Sequence, residues 1–83
     1  MSSDRTVHEL AVLRSIVDAV SEHAREHVVT RVSLGVGVLS GVSPQALEFC
    51  FELATRGTVL AGAELVVDVL PGRQLRIHSI EVV

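Results

Sequence analysis

The chain has 83 residues, of which 48% are apolar, and its net charge of −3 comes from mixed signs with no basic cluster. This length allows a single domain with an aliphatic core, while the charge pattern argues against a nucleic-acid partner, because phosphate binding needs concentrated Lys and Arg. No apolar run approaches the ~20 residues of a membrane helix, and the polar start and single cysteine argue against secretion and disulfides, so a cytoplasmic protein is expected.

The first predicted element is an amphipathic helix over residues 7–27, where apolar side chains recur at helical spacing. Residues 1–6 are polar and are expected to form a disordered extension. His23 and His27 are four residues apart in the last turn, where the helix dipole favours histidine. Two ligands on a solvated face do not make a metal site, so we interpret this pair as a helix end.

A strand is predicted over residues 29–38, where apolar residues such as Leu34 alternate with polar residues and with Gly35 and Gly37. This period of two indicates a half-buried strand. Glycine weakens a strand, so another part of the chain is expected to lie close against the two glycines.

The second predicted helix, residues 44–56, has a defined start and end. Ser43 is a good N-cap and Pro44 occupies the first helical position. Gly57 is a typical C-terminal stop. The inward stripe of this helix includes Cys50, which we expect to be a buried thiol and not a nucleophile.

Two further strands are predicted over residues 63–70 and 74–82, joined by turn residues around Pro71-Gly72. The order helix–strand–helix–strand–strand predicts an α+β fold, with two helices packed on one face of a three-stranded mixed β-sheet. The strand–helix–strand unit should form a right-handed parallel crossover, and the last two strands should pair as an antiparallel hairpin. The expected core includes Leu13, Val17, Leu34, Val36, Leu47 and Phe51.

Several segments of the chain resemble a known family. The most specific are "LSGVSPQALEF" and "TRGTVLAGAEL", and "VHELAVLRSIVDAV" stands where the family has Met-His-Glu running straight into a helix. Over residues 7–83 the chain is similar to the nickel-binding domain of the hydrogenase nickel-insertion accessory proteins of the HypA type. The expected organisation is therefore an extension, residues 1–6, followed by this domain.

Two features depart from the family pattern. The family carries a zinc domain with two Cys-x-x-Cys pairs between the last two strands, and here Pro71-Gly72 closes that gap. With Cys50 alone no tetrahedral thiolate site can form, so no zinc is expected. The second departure is that His8 follows Val7 and not an initiator methionine. A GTG codon is read as methionine when it initiates and as valine otherwise, so the true start can lie at Val7, with the extension a mis-assigned start.

The His8-Glu9 pair has two interpretations. On local sequence alone it fits a capping box, with Thr6 as N-cap and Glu9 reaching back from the third helical position. In the family pattern, the terminal amine, the backbone nitrogen of the histidine and its imidazole surround nickel, and such nitrogen-rich sites suit Ni(II). The resemblance implies a nickel site with His8 as principal ligand and Glu9 as second ligand or orienting carboxylate. The chain-terminal amine completes this site if the true start is Val7.

The resemblance implies a nickel metallochaperone-like accessory protein for the maturation of [NiFe]-hydrogenase, or of urease, that carries Ni²⁺ transiently. The implied partners are a nickel-insertion GTPase and the hydrogenase large subunit, and a homodimer is left open. An enzyme is not expected, because the sequence shows no Ser-His-Asp set, phosphate loop or paired-carboxylate pocket. The alternative is a metal-free docking module that keeps the fold while the motif has decayed to a helix cap.

Overall fold

The computed structural model describes residues 2–83, with side chains from residue 8 onward. The three strands of this part are β1 (Val29–Gly37), β2 (Glu64–Leu70) and β3 (Leu75–Val82). They form one sheet in the order β2-β1-β3, in which β1 is parallel to β2 and antiparallel to β3. The predicted α+β fold and its element order are confirmed, and the handedness of the parallel crossover stays a prediction. In chain order the elements are α1 (Ser2–Ala24), β1, α2 (Pro44–Thr55), β2 and β3.

Both helices pack on one face of the sheet. Val32, Leu34 and Val36 of β1 point toward this face and are at most 1% exposed, and apolar side chains from α1 and α2 join them in one cluster. Cys50 is a free, buried thiol, as expected. The predicted core residues are all buried: Leu13, Val17, Leu34, Val36, Leu47 and Phe51.

The predicted hairpin between the last two strands is wrong. Strands β2 and β3 lie on opposite sides of β1, so the connection over residues 71–74 passes across the end of β1. Backbone N–H groups of residues 37–39 donate hydrogen bonds to carbonyls of residues 70–74 at 2.6 to 2.8 Å and hold the connection there. Turn chemistry shows where a chain reverses, but it does not specify which strand each arm pairs with.

Gly37 marks the point where the connection crosses β1. A Cβ atom at this position would meet the carbonyl oxygen of Gly72 and lie 2.7 Å from the backbone nitrogen of Gln74. At Gly35, on the same face of the strand, a Cβ atom would instead meet the imidazole of His78 and the Cδ1 atom of a leucine side chain. The expectation that another part of the chain lies close against both glycines is confirmed.

We expect Gly37→Ala to lower the free energy of unfolding by about 3 kcal/mol, because neither backbone atom can move without breaking the crossing. Gly35→Ala is the matched control on the same strand and should cost about 1 kcal/mol, since the side chains over it can shift. Urea unfolding of the two variants measures the difference. Equal losses of stability would contradict this account of the crossing.

The N-terminal end of α1 lies before the predicted start at Val7. The helix begins at Ser2 and includes part of the extension that was expected to be disordered, so Thr6 does not occupy the N-cap position. An acidic residue in the first turn of a helix is favoured by the helix dipole, and Asp4 is in the first turn of this helix. Met1 lies outside the described residues, and the division into an extension and a domain over residues 7–83 stays a prediction.

The C-terminal end of α1 also differs from the prediction. Arg25 adopts a left-handed backbone conformation with φ of 58°, so the helix ends at Ala24 and His27 lies beyond it. His23 and His27 therefore do not share one helical face. Within the part of the chain that the structure describes, no helix is long and apolar enough to cross a membrane.

The face of the sheet away from the helices carries a row of ion pairs. Arg31 of β1 lies between Glu64 of β2 and Glu81 of β3, with an N–O distance of 3.0 Å to each. The hydrogen bond to Glu64 and then the charge of Glu81 raise the pKa of Arg31 above its ordinary value. On the same face, His78 Nδ1 lies 3.6 Å from Oδ2 of Asp68.

Candidate functional site

His8 and Glu9 are consecutive residues of α1, and their side chains lie in different surroundings. Successive residues of an α-helix are separated by about 100° around the helix axis. His8 is exposed to solvent, whereas Glu9 is fully buried, with 0% of its surface accessible. The structure therefore does not place the imidazole and the carboxylate in one open space.

The buried carboxylate of Glu9 binds the start of α2. Its Oε2 accepts a hydrogen bond of 2.6 Å from the backbone N–H of Ser43. Ser43 is the N-cap of α2, with an extended backbone and a hydroxyl that accepts from the N–H of Ala46 at 3.2 Å. A carboxylate is stabilised at a helix N-terminus by the free N–H groups and the helix dipole. This contact ties the first part of α1 to the start of α2.

The second carboxylate oxygen, Oε1 of Glu9, is buried and has no hydrogen-bond partner among the described residues. Buried polar atoms without a partner are rare in folded proteins, because the lost contact with water is not replaced. An apolar side chain of similar size would avoid this cost. The carboxylate of Glu9, the residue that follows His8 in the chain, is therefore a candidate functional group.

The capping-box interpretation of Glu9 is wrong. In a capping box this carboxylate would reach back to the start of its own helix, but α1 begins at Ser2 and the carboxylate binds Ser43 instead. The tertiary contact replaces the local one because Glu9 lies one turn before Leu13, on the buried side of α1. The sequence marked Ser43 as a helix cap, but no local signal indicated a contact between residues separated by 34 positions.

The backbone nitrogen of His8 lies inside α1 in the 83-residue chain. Each N–H of an α-helix donates to the carbonyl four residues earlier, and only the first four N–H groups lack such a partner. Because α1 begins at Ser2, the N–H of His8 lies beyond these four positions. In a chain that begins at residue 7, the same N–H would be free and adjacent to the terminal amine.

The other histidines and the cysteine do not form a side-chain cluster of metal ligands in the part of the chain that the structure describes. Within residues 8–83, no group of three or more His, Cys, Asp or Glu side chains has the geometry to hold a metal ion. His23 and His27 are exposed, while Cys50 is buried on the other helix. A metal site at His8 would therefore need main-chain nitrogen atoms as its other ligands, because the described residues provide no cluster of ligand side chains.

Comparison with known proteins identifies a family. The family described as "Hydrogenase/urease nickel incorporation, metallochaperone, hypA" matches residues 7–76. Proteins named "Hydrogenase maturation factor HypA" from Trichodesmium erythraeum, Geobacter metallireducens and Streptomyces avermitilis are each 46% identical to the chain, over 66, 67 and 71 residues. The alignments cover 80%, 81% and 81% of this chain and 58%, 61% and 54% of the relatives. The chain therefore spans little more than half of the length of these relatives.

Proposed function

Because this chain belongs to the HypA family of hydrogenase and urease nickel-incorporation proteins, we propose that it is a nickel metallochaperone that delivers Ni²⁺ to the large subunit of a [NiFe]-hydrogenase. Nickel is the cargo and is held transiently. The observation that carries the proposal is the family match over residues 7–76, which includes the His8-Glu9 pair. The proposed partners are a nickel-insertion GTPase and the hydrogenase large subunit, in the cytoplasm.

In this proposal His8 is the principal nickel ligand. Its imidazole is exposed on the first part of α1, so a metal ion can bind and leave without unfolding of the core. The imidazole, the backbone nitrogen of His8 and a terminal amine at residue 7 would form the nitrogen-rich set that Ni(II) favours. An α-amino group has a pKa of about 8 and can lose its proton near neutral pH.

We assign Glu9 a positioning role and not a place among the ligands. Its Oε2 is bound to the N–H of Ser43, and the whole side chain is buried, so the carboxylate lies away from the solvent around His8. The contact holds the first part of α1 against α2. It therefore determines where the imidazole of His8 stands on the surface of the domain.

Hydrogenase activity in cells tests this function. A cell that makes a [NiFe]-hydrogenase but lacks its own HypA should recover hydrogenase activity when it produces a shorter form of the chain, which begins with Met in place of Val7. His8→Ala should lower the recovered activity about tenfold or more, since loss of a ligand exceeds the 10–100-fold effect of outer-sphere changes on metal sites. His27→Ala, at another exposed histidine, is the matched control and should leave the activity unchanged. If the shorter form that keeps His8 and His27 restores no hydrogenase activity, the proposal is contradicted.

The metal-free docking module is the second candidate function. Phe49 and Leu53 lie one turn apart on α2 and are 81% and 56% exposed. Neighbouring apolar side chains on a helix surface are typical of a protein-binding face. In the same cells, this candidate predicts that His8→Ala supports hydrogenase maturation fully, while Phe49→Ala weakens it.

A further inference from the structure

The outer side of β3 is a free sheet edge in the part of the chain that the structure describes. Its apolar side chains on the helix side are only partly covered: Leu75, Ile77 and Val82 are 37%, 39% and 45% exposed. An edge strand with an apolar row presents free N–H and C=O groups that can pair with another strand. A groove separates this row from α1 and is lined by Val12, Ile16, Ala19, Leu75 and Ile77.

An irregularity divides β3 into two halves. Along β1, Leu34 lies opposite Ile77, but its neighbour Ser33 lies opposite Ser79, so His78 is an extra residue. In a regular strand, alternate residues share one face of the sheet. The extra residue of a β-bulge shifts this alternation by one position. On the helix side of the sheet, the residues of β3 therefore have odd numbers before His78 and even numbers after it.

This shift makes β3 complementary to a second copy of itself. Leu75 and Ile77 of the first half and Ile80 and Val82 of the second half all lie opposite buried β1 residues, and therefore share the helix side of the sheet. In one antiparallel register, two copies of β3 place each residue opposite a residue that faces the same side. A slip by one residue would place apolar residues opposite polar ones. In this register the opposing residues of the two copies are Leu75 and Val82, Arg76 and Glu81, Ile77 and Ile80, and His78 and Ser79.

The charges of β3 fit the same register. Arg76 of each copy lies opposite Glu81 of the other, so the pair occurs twice. Opposite charges directly across two strands are stabilising, and like charges there are destabilising. Glu81 also binds Arg31 of its own chain, which in turn binds Glu64. Arg76 of the second copy would therefore extend a row of charges that already alternates in sign across the sheet.

We propose that β3 is a homodimer interface, in which two copies of this chain pair through their β3 edges, in this register, to form one six-stranded sheet. The second copy covers the apolar groove, because its α1 helix comes to lie beside the first α1 on the same face of the joined sheet. The interface is independent of the proposed nickel site, since none of its residues takes part in that site.

Sedimentation equilibrium of the 83-residue chain at micromolar to sub-millimolar concentrations tests the interface and should show a monomer–dimer equilibrium. Arg76→Glu and Glu81→Arg each place two like-charge pairs in the dimer, so each should raise the dimer Kd about tenfold or more. Mixed in equal amounts, the two variants have opposite charges at both positions. They should form a heterodimer with an affinity near that of the unsubstituted chain.

Arg73→Glu, in the connection before β3, changes the net charge as Arg76→Glu does and should leave the dimer Kd unchanged. Circular dichroism establishes that the variants are folded, because Glu81→Arg also removes a partner of Arg31. The side chain of Arg76 donates to Gln74, an exposed residue only two positions away, so Arg76→Glu should leave the fold intact. This variant therefore tests the interface even if Glu81→Arg does not fold. A monomer at every concentration would overturn the proposal. A dimer that Arg76→Glu does not weaken, or folded variants that do not associate when mixed, would overturn it equally.

Discussion

A form of the chain that begins with Met in place of Val7 is expected to bind nickel about 100-fold more tightly than the 83-residue form, or more. In the shorter form the terminal amine stands next to His8, and the backbone N–H of His8 is among the free groups at the helix start. In the longer form the amine is six residues away, and the N–H of His8 lies inside α1. Two of the three proposed nitrogen ligands are therefore lost, and calorimetric titration of Ni²⁺ into the two forms measures the difference.

His8→Ala should remove this difference by abolishing tight binding in the shorter form. The fold should be unaffected, because the imidazole is exposed and outside the core. His23→Ala, which removes another exposed imidazole of α1, is the matched control and should leave the nickel affinity unchanged. Equal affinity of the two forms would remove the amine from the mechanism. No affinity in either form would favour the docking module.

Glu9→Ala is expected to lower the free energy of unfolding by about 3 kcal/mol. The substitution leaves the N–H of Ser43 without its acceptor and opens a cavity between the start of α1 and the start of α2. Glu9→Gln retains an acceptor and nearly the same volume, so it should stay within about 1 kcal/mol of the unsubstituted chain. Urea unfolding of the two variants gives the comparison.

Nickel affinity of the same variants, made in the shorter form, separates the two roles of Glu9. A positioning residue predicts that Glu9→Gln binds nickel as the unsubstituted form does, and that Glu9→Ala loses about 10- to 100-fold. A direct ligand predicts that both substitutions lower the affinity alike, while only Glu9→Ala lowers stability. Unchanged stability of Glu9→Ala would contradict the role assigned to the contact with Ser43.

Most of the fold could be predicted because each element carries its own signal. The spacing of apolar residues indicated both helices, and the alternation around Gly35 and Gly37 indicated the central strand and its close neighbours. The pairing of the last two strands could not be predicted in this way. Pro71-Gly72 indicates that the chain turns, but the choice between pairing with each other and pairing with β1 depends on contacts distant in sequence.

The candidate site shows the same limit at the scale of one side chain. The motif drew attention to His8 and Glu9, and the capping-box pattern offered Glu9 a local partner. In the structure the partner is Ser43, because the carboxylate lies on the buried side of α1 and faces the start of another helix. Periodicity indicates which side of a helix is buried, but it does not identify which element meets that side.

Release of protons on nickel binding tests most directly whether the site uses main-chain nitrogen atoms. It can be measured by titrating Ni²⁺ into the form with Met in place of Val7, in buffers of different ionisation enthalpy. At pH 7 the terminal amine is largely protonated and the amide nitrogen of His8 carries one proton, and both must be lost to bind metal. We therefore expect release of about two protons per nickel ion in this form. Release of well under one proton, as expected for nickel held by an imidazole alone, would contradict the proposed site.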